Sequence, residues 1–125
     1  MSQENKKIVE EINKSFSEGD TDGFLSHCAE DITWTMYGDR TVQGKSAIKE
    51  WMRSMEGMEP PHFTVDYLLA DGDAVMASGD MAMKDKEGKT APYAYCDIYR
   101  FSGGKIIEMR TFAVNTAKAD RSASA

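Results

Sequence analysis

Asp97 stands in the run APYAYCDIYRF, Ala91 to Phe101. If that run is a strand, alternation puts Tyr93, Tyr95, Tyr99 and Phe101 on the same face as the carboxylate. A carboxylate among four rings is costly to keep ionised without a partner, and burial raises its pKa by up to about 3–5 units. Three readings follow. A buried, protonated Asp97 can give a proton or a hydrogen bond to a ligand oxygen. Paired with Asp80, it can share one proton, since two adjacent carboxylates resist ionising together. Or Tyr95, Tyr99 or a backbone N–H satisfies it, and no chemistry results. Asp80 lies in ASGDMA, where a bulge at SGD would turn it to solvent instead.

The other reactive side chains are sparse. His62 follows a double proline and reads as solvent-facing or satisfied, with a general-base role the sharper alternative. His27 falls late in a helical stretch, where a cation favours the helix C-terminus. Cys28 and Cys96 lack metal or redox spacing and read as reduced thiols in a cytoplasmic protein. The sequence holds no phosphate-binding loop, no metal-ligand spacing and no nucleophile–base–orienter set, so no cofactor and no metal is expected.

The elements that must position these groups follow from periodicity. Ile8, Val9, Ile12 and Phe16 make one helical stripe, with Gly19 as its stop. Asp20 then caps a second helix over TDGFLSHCA, burying Phe24, Leu25 and Cys28. ITWTMY alternates as a strand, with Ile32, Trp34 and Met36 on one face. GDRTVQG is a loop or a short edge hairpin. Ile48, Trp51, Met52 and Met55 make a third helical stripe, ended before Gly57 and the 60–61 proline pair.

After that the pattern is β. HFTVDYLLA reads as one strand, AVMASGDMAMK as the next, with a hairpin turn at DKEG, 85–88. The Asp97 strand, a turn at SGG and KIIEMRTFAVN complete a meander. Segregated helices and antiparallel strands give an α+β fold: a cone-shaped, curved antiparallel or mixed sheet around three N-terminal helices. Residues 1–115 form a single domain and 116–125 a flexible tail.

Composition excludes several classes. Apolar residues at 41 % beside 29 % charged residues fit a folded domain and not a disordered chain. A net charge of −6 with no basic stripe argues against nucleic-acid binding. No apolar run nears the ~20 residues of a membrane span. The polar start MSQENKKIVEE is unlike a secretory leader.

Three passages carry a resemblance over roughly Ile8 to Asn115: EGDTDGFLSHCAEDITW, VQGKSAIKEWM and CDIYRFSGGKIIEMRTF. The chain resembles the nuclear transport factor 2-like superfamily, in its SnoaL-like and ketosteroid-isomerase-like branch. The resemblance implies a cone-shaped pocket on the concave face and a homodimer through the sheet. Steroid isomerases of this fold hold an oxyanion with a tyrosine and a protonated aspartate, beside a second aspartate as base. On that pattern Asp97 takes the place of the protonated aspartate, Met36 falls at the base and Ile12 near the tyrosine. Limonene epoxide hydrolases of the fold use Arg-x-Asp on one strand and a further Asp on the last; the positions here are Ser78-x-Asp80 and Thr111. SnoaL-like cyclases place an acid near the last strand, where this chain has Glu108 at the parity opposite to Thr111.

Parity then lines the expected pocket with Trp34 and Met36, with Tyr95, Asp97 and Tyr99, with Ser78 and Asp80, and with Met109 and Thr111. Phe16 and Trp51 close it from the helices. Such a cavity suits a small cyclic, mostly apolar molecule. Three functions remain open at this point: an isomerase, cyclase or hydrolase using Asp97, a non-catalytic small-molecule binder, and a dimeric association module. Arg100 and Arg110 fall on the opposite face, expected to pair with Glu108 or Asp66.

Overall fold

The computed structural model describes residues 2–54, 62–84 and 87–117. Helix α1 spans Ser2–Glu18 and buries Val9 and Ile12 completely, with Ile8 and Phe16 packed beside them. It ends where Gly19 turns to φ +71°, a conformation that costs glycine no steric strain. Asp20 then caps α2, Thr21–Leu25, by accepting a hydrogen bond from the Gly23 N–H at 3.0 Å.

This second helix is shorter than its sequence suggests. Strand β1, Cys28–Met36, begins at Cys28. The competing interaction is a parallel pairing of Cys28 with Ile106, extended by a hydrogen bond from the Ile106 N–H to the His27 carbonyl. His27 therefore lies in the connection and not in a helical last turn; its Nε2 is 3.2 Å from Glu11 Oε2.

Strand β2, Arg40–Gln43, folds back on β1 as the edge hairpin. Helix α3, Lys45–Arg53, buries Ile48, with Trp51 and Met52 against the core. Met55, expected to extend its stripe, and the 60–61 proline pair lie outside the described residues, as do residues 118–125 of the expected tail. Then come β3 (His62–Phe63), β4 (Tyr67–Asp71), β5 (Ala74–Lys84), β6 (Thr90–Ser102) and β7 (Lys105–Asn115). Gly103 and Gly104, at φ +58° and +81°, form the tight β6–β7 turn.

The strands make one mixed sheet in the order β2-β1-β7-β6-β5-β3, with β4 also pairing β5. The β1–β7 pair is parallel; the others are antiparallel. All three helices sit against one face, and the core joins Val9, Ile12 and Ile48 to Trp34, Tyr99 and Met109 of that inner face. This is the α+β cone architecture expected.

HFTVDYLLA is not one strand. Residues 64–66 leave the ladder between β3 and β4. There the Thr64 N–H donates to the Asp80 carbonyl and the Asp66 N–H to the Ser78 carbonyl, at 2.9 and 2.7 Å. The Thr64 carbonyl is thereby pressed over Gly79, at a spot that a β-carbon would fill. The chain crosses there because residue 79 has no side chain.

The outer face carries exposed apolar side chains. Tyr67, Leu69, Phe112 and Val114 are all more than two-fifths exposed, and Tyr37 stacks on Phe112 at 4.4 Å. Arg100 and Arg110 lie on this face and both reach Glu108, at 3.3 and 3.2 Å, as expected from parity; Arg100 also lies 3.8 Å from Asp73.

Candidate functional site

The inner face of β6 presents Tyr95, Asp97 and Tyr99, held there by alternation. Across the sheet Asp97 stands opposite Thr111 of β7 on one side and Ala77 of β5 on the other. Met36 of β1 pairs with Thr111 and, on its other side, with Arg40 of β2, and Leu68 of β4 pairs with Ala77, completing one row of six residues. Asp97 and Arg40 are the charged side chains of this row; Met36 and Thr111 stand between them, and the Arg40 guanidinium pairs with Asp39.

The Thr111 hydroxyl is the partner the structure gives Asp97. Thr111 is itself fixed: the Trp34 indole Nε1–H donates to its Oγ1 at 2.8 Å. With a lone pair of Thr111 occupied by Trp34, its hydroxyl proton is left to turn toward the carboxylate opposite. The result is a chain from Trp34 through Thr111 to Asp97 that orients the acid. Desolvation by the surrounding protein pushes the Asp97 pKa from 3.8 up to about 6, and the Thr111 hydrogen bond draws it partly back. The Asp97 side chain is nonetheless only half-buried, as are Thr111 and Met36, while Ala113 is exposed. Solvent reaches the inner face from this end.

The other end is filled. Trp34 meets Phe24 at 5.5 Å and Trp51 at 5.4 Å between ring centroids, both edge-on, and Phe16 lies 4.9 Å from Phe24. Met109 and Tyr99 are fully buried. Trp34, Phe16 and Met109 thus wall the site as core residues, and Met36, Asp97 and Thr111 are its accessible members. Trp51 is half-buried, with the Arg40 guanidinium 5.9 Å above its ring. Tyr95 is committed elsewhere: its hydroxyl donates to the Thr64 carbonyl at 2.6 Å, tying the β3–β4 crossing to the sheet. Burial, and after it the Asp97 charge, pushes the Tyr95 pKa up to about 12.

Asp80 is on the other face. It pairs with Ala94, three positions from the Ala77–Asp97 pair, and is exposed. A turn of four residues at 85–88 would pair Lys84 with Lys89 and bring Ser78 and Asp80 beside Asp97. The observed partner of Lys84 is Thr90, and that single added residue inverts every side chain of β5. Asp80 instead lines a shallow edge groove with His62, Tyr93 and Thr116. The shared-proton pair is therefore not formed.

Sequence reasoning assigned Thr111 to the ligand but missed it as the partner of Asp97, having looked to Tyr95 and Tyr99. Counting back from the SGG turn would not have found it: the register at Ser102–Lys105 would set Asp97 opposite Arg110, and a bulge between Arg100 and Phe101 shifts the pairing by one residue to Thr111. Both cysteines are free. Cys28 is an inert thiol: burial pushes its pKa up to about 12, and its Sγ lies 3.5 Å from the Phe24 carbonyl. Among the described residues no cluster of His, Cys, Asp or Glu could hold a metal ion, and no helix is long and apolar enough to cross a membrane.

Known structures share this architecture. An NTF2-like protein of unknown function from Cytophaga hutchinsonii is 26 % identical, with a TM-score of 0.71 over 87 % of this chain and 98 % of that one. An LEH-like epoxide hydrolase of M. tuberculosis is 18 % identical, with a TM-score of 0.80 over 90 % of this chain and 84 % of that one. TerC, co-crystallised with polyporic acid, is 22 % identical, with a TM-score of 0.75 over 86 % and 89 %. A comparison with curated proteins returned no match. The SnoaL-like domain family matches residues 9–109, which takes in both helices that wall the site and the β1, β5 and β6 positions around Asp97. The chain belongs to the SnoaL-like family, within the nuclear transport factor 2-like superfamily.

Proposed function

We propose that this protein binds a small cyclic, mostly apolar molecule on the inner face and that Asp97 acts on an oxygen of it as a hydrogen-bond donor and acid. The observation that carries this reading is the chain from Trp34 through Thr111 to a half-buried acid with no cation beside it on the inner face, among the described residues. An oriented acid with a pKa of about 6 is suited to giving and taking a proton near neutrality. The proton would pass from the Asp97 carboxyl to the ligand oxygen and return to the carboxylate as product forms; a carbon-bound proton moved in an isomerisation would have to be taken and returned by water, since Met36 stands where the resemblance puts a base. The co-crystallisation of TerC with polyporic acid and the epoxide hydrolase with the same fold are in keeping with a small-molecule ligand. The alternative is binding without turnover, favoured by Met36 at the position where the resemblance puts a base.

Tryptophan fluorescence separates the two readings. Titrating a panel of ring ketones, lactones and epoxides is expected to quench Trp34, with affinity falling as pH rises through about 6, where Asp97 loses its proton. In Asp97→Asn the neutral amide still donates, so binding should persist and lose its pH dependence, while any turnover falls at least about 100-fold. Turnover retained by Asp97→Asn would rule out the acid role; no quenching by any member of the panel would rule out the binding site.

The outer face supports a homodimer formed through the sheet. Tyr67, Leu69, Phe112 and Val114 are the kind of exposed apolar cluster that a second copy covers. Phe112→Glu together with Leu69→Glu should convert a dimer into a monomer in sedimentation velocity without unfolding it. A parent protein that is monomeric at tens of micromolar would count against this assembly. Two free thiols, Cys28 and Cys96, suit a reducing, cytoplasmic setting.

A further inference from the structure

Arg40 pairs with Met36 across the β1–β2 hairpin, so it stands on the inner face at the end of the row that runs through Thr111 to Asp97. An arginine on the core-facing side of an edge hairpin needs an explanation. The next pair along that side, Trp34 and Val42, is apolar and packs into the core. Two contacts hold the Arg40 guanidinium. Asp39 Oδ1 lies 3.2 Å from its Nε, and the Trp51 ring lies beneath its Cζ, 5.9 Å away at the centroid. Asp39 thus takes one edge of the group and Trp51 its face. The two terminal nitrogens have no partner among the described residues. They form the fork that grips a carboxylate through two parallel hydrogen bonds. The Arg40 side chain is half-exposed, and Trp51 and Met36 beside it are half-buried, so a solute reaches all three from solvent without rearrangement.

We propose that Arg40 is an anion-recognising residue at the open end of the inner face, and that the ligand carries a carboxylate or a comparably acidic group on its ring system. The inference rests on the reading above that a cyclic, mostly apolar molecule lies on this face, and it adds a charge to that molecule. It does not depend on proton transfer by Asp97. Asp39 meets the guanidinium at Nε alone, so it orients the fork and leaves both ends of it for a ligand. The aromatic face of Trp51 and the adaptable side chain of Met36 offer the apolar surface beside it. Arg40 and Asp97 stand three strands apart, a span of roughly 14 Å between backbones at about 4.8 Å per strand. A two-ring acid is long enough to rest on this surface with its anionic end at Arg40 and its other end toward Asp97. The net charge of −6 gives the chain no general attraction for anions, so a preference for one must come from a local cation.

The test compares 4-(4-oxocyclohexyl)benzoate with its methyl ester, which keeps both rings and loses only the charge. Both are titrated by tryptophan fluorescence into the parent protein, Arg40→Gln and Arg40→Lys. At about pH 5.5 the benzoate is ionised and Asp97 still holds its proton. The parent is expected to bind the benzoate about tenfold more tightly than the ester, the contribution of a charge-assisted hydrogen bond. That preference should shrink as salt is added. Arg40→Gln should abolish it and leave the affinity for the ester unchanged. Arg40→Lys keeps the charge without the fork, so it should restore the preference only in part. Equal affinity of the parent for benzoate and ester would overturn this inference and leave the inner-face reading intact. So would a preference for the benzoate that survives in Arg40→Gln, which would place the anion elsewhere. If the parent binds neither compound, both readings fall together.

Discussion

Asp97→Asn is expected to stabilise the ligand-free protein by about 2 kcal/mol at pH 8 and by less than about 1 kcal/mol at pH 4. The cause is the raised pKa. Unfolded, the carboxyl titrates near 3.8; folded, it titrates at about 6, because burial penalises the charged form. Folding therefore favours the protonated acid. The stability this confers is fully present below pH 3.8 and is lost as pH rises through about 6. Above that, the fold must hold a poorly solvated carboxylate. A pKa difference of this size between the folded and unfolded chain corresponds to about 3 kcal/mol, and the partial exposure of Asp97 lowers this to about 2. Asparagine keeps an oxygen for Thr111 and has nothing to ionise. Urea unfolding midpoints of both proteins between pH 4 and 8 measure the gap. A gap independent of pH, or an Asn variant less stable at pH 8, would contradict the raised pKa. A stabilising substitution at this position would also mean that the native acid is kept at a cost in stability, as functional groups commonly are.

Gly79→Ala should be the most damaging small substitution on the sheet, destabilising by about 3 kcal/mol. The added methyl would overlap the Thr64 carbonyl oxygen and come within 2.9 Å of its carbon and 3.2 Å of the Asp66 nitrogen. These are backbone atoms, so no rotamer change relieves the clash. The crossing itself must lift. Lifting it breaks the Thr64 N–H and Asp66 N–H hydrogen bonds to β5 and the hydrogen bond from Tyr95. Gly72→Ala is a useful contrast: it has open space around it and only its φ of +59° to strain. It should cost about 1 kcal/mol. Equal urea midpoints for the two variants would mean that the β3–β4 crossing is not as tight as its geometry requires.

Local patterns carried most of the fold and half of the site. The Val9–Ile12–Phe16 and Ile48–Trp51 stripes, the Asp20 cap and the Gly103–Gly104 turn each depend on residues within one or two helical turns, so they are legible without the rest of the chain. Alternation alone set Tyr95, Asp97 and Tyr99 on one face and Arg100 and Arg110 on the other. What pairs with that face is a matter of register, which depends on loop length and on contacts distant in sequence. One residue more in the connection from Lys84 to Thr90 sent Asp80 to the outer face. The parallel pairing of Cys28 with Ile106 shortened α2, although the local sequence favours a longer helix.

The sequence by itself determined that an acid would lie among aromatic rings on a strand, because side-chain direction in a strand has a period of two and needs no partner to define it. Only the tertiary structure decided what that acid meets: Thr111 oriented by Trp34, and no second carboxylate. Those groups come from strands up to 77 positions apart, and hydrogen bonds act over about 3 Å. No local pattern can specify a distance that short between residues so far apart in the chain.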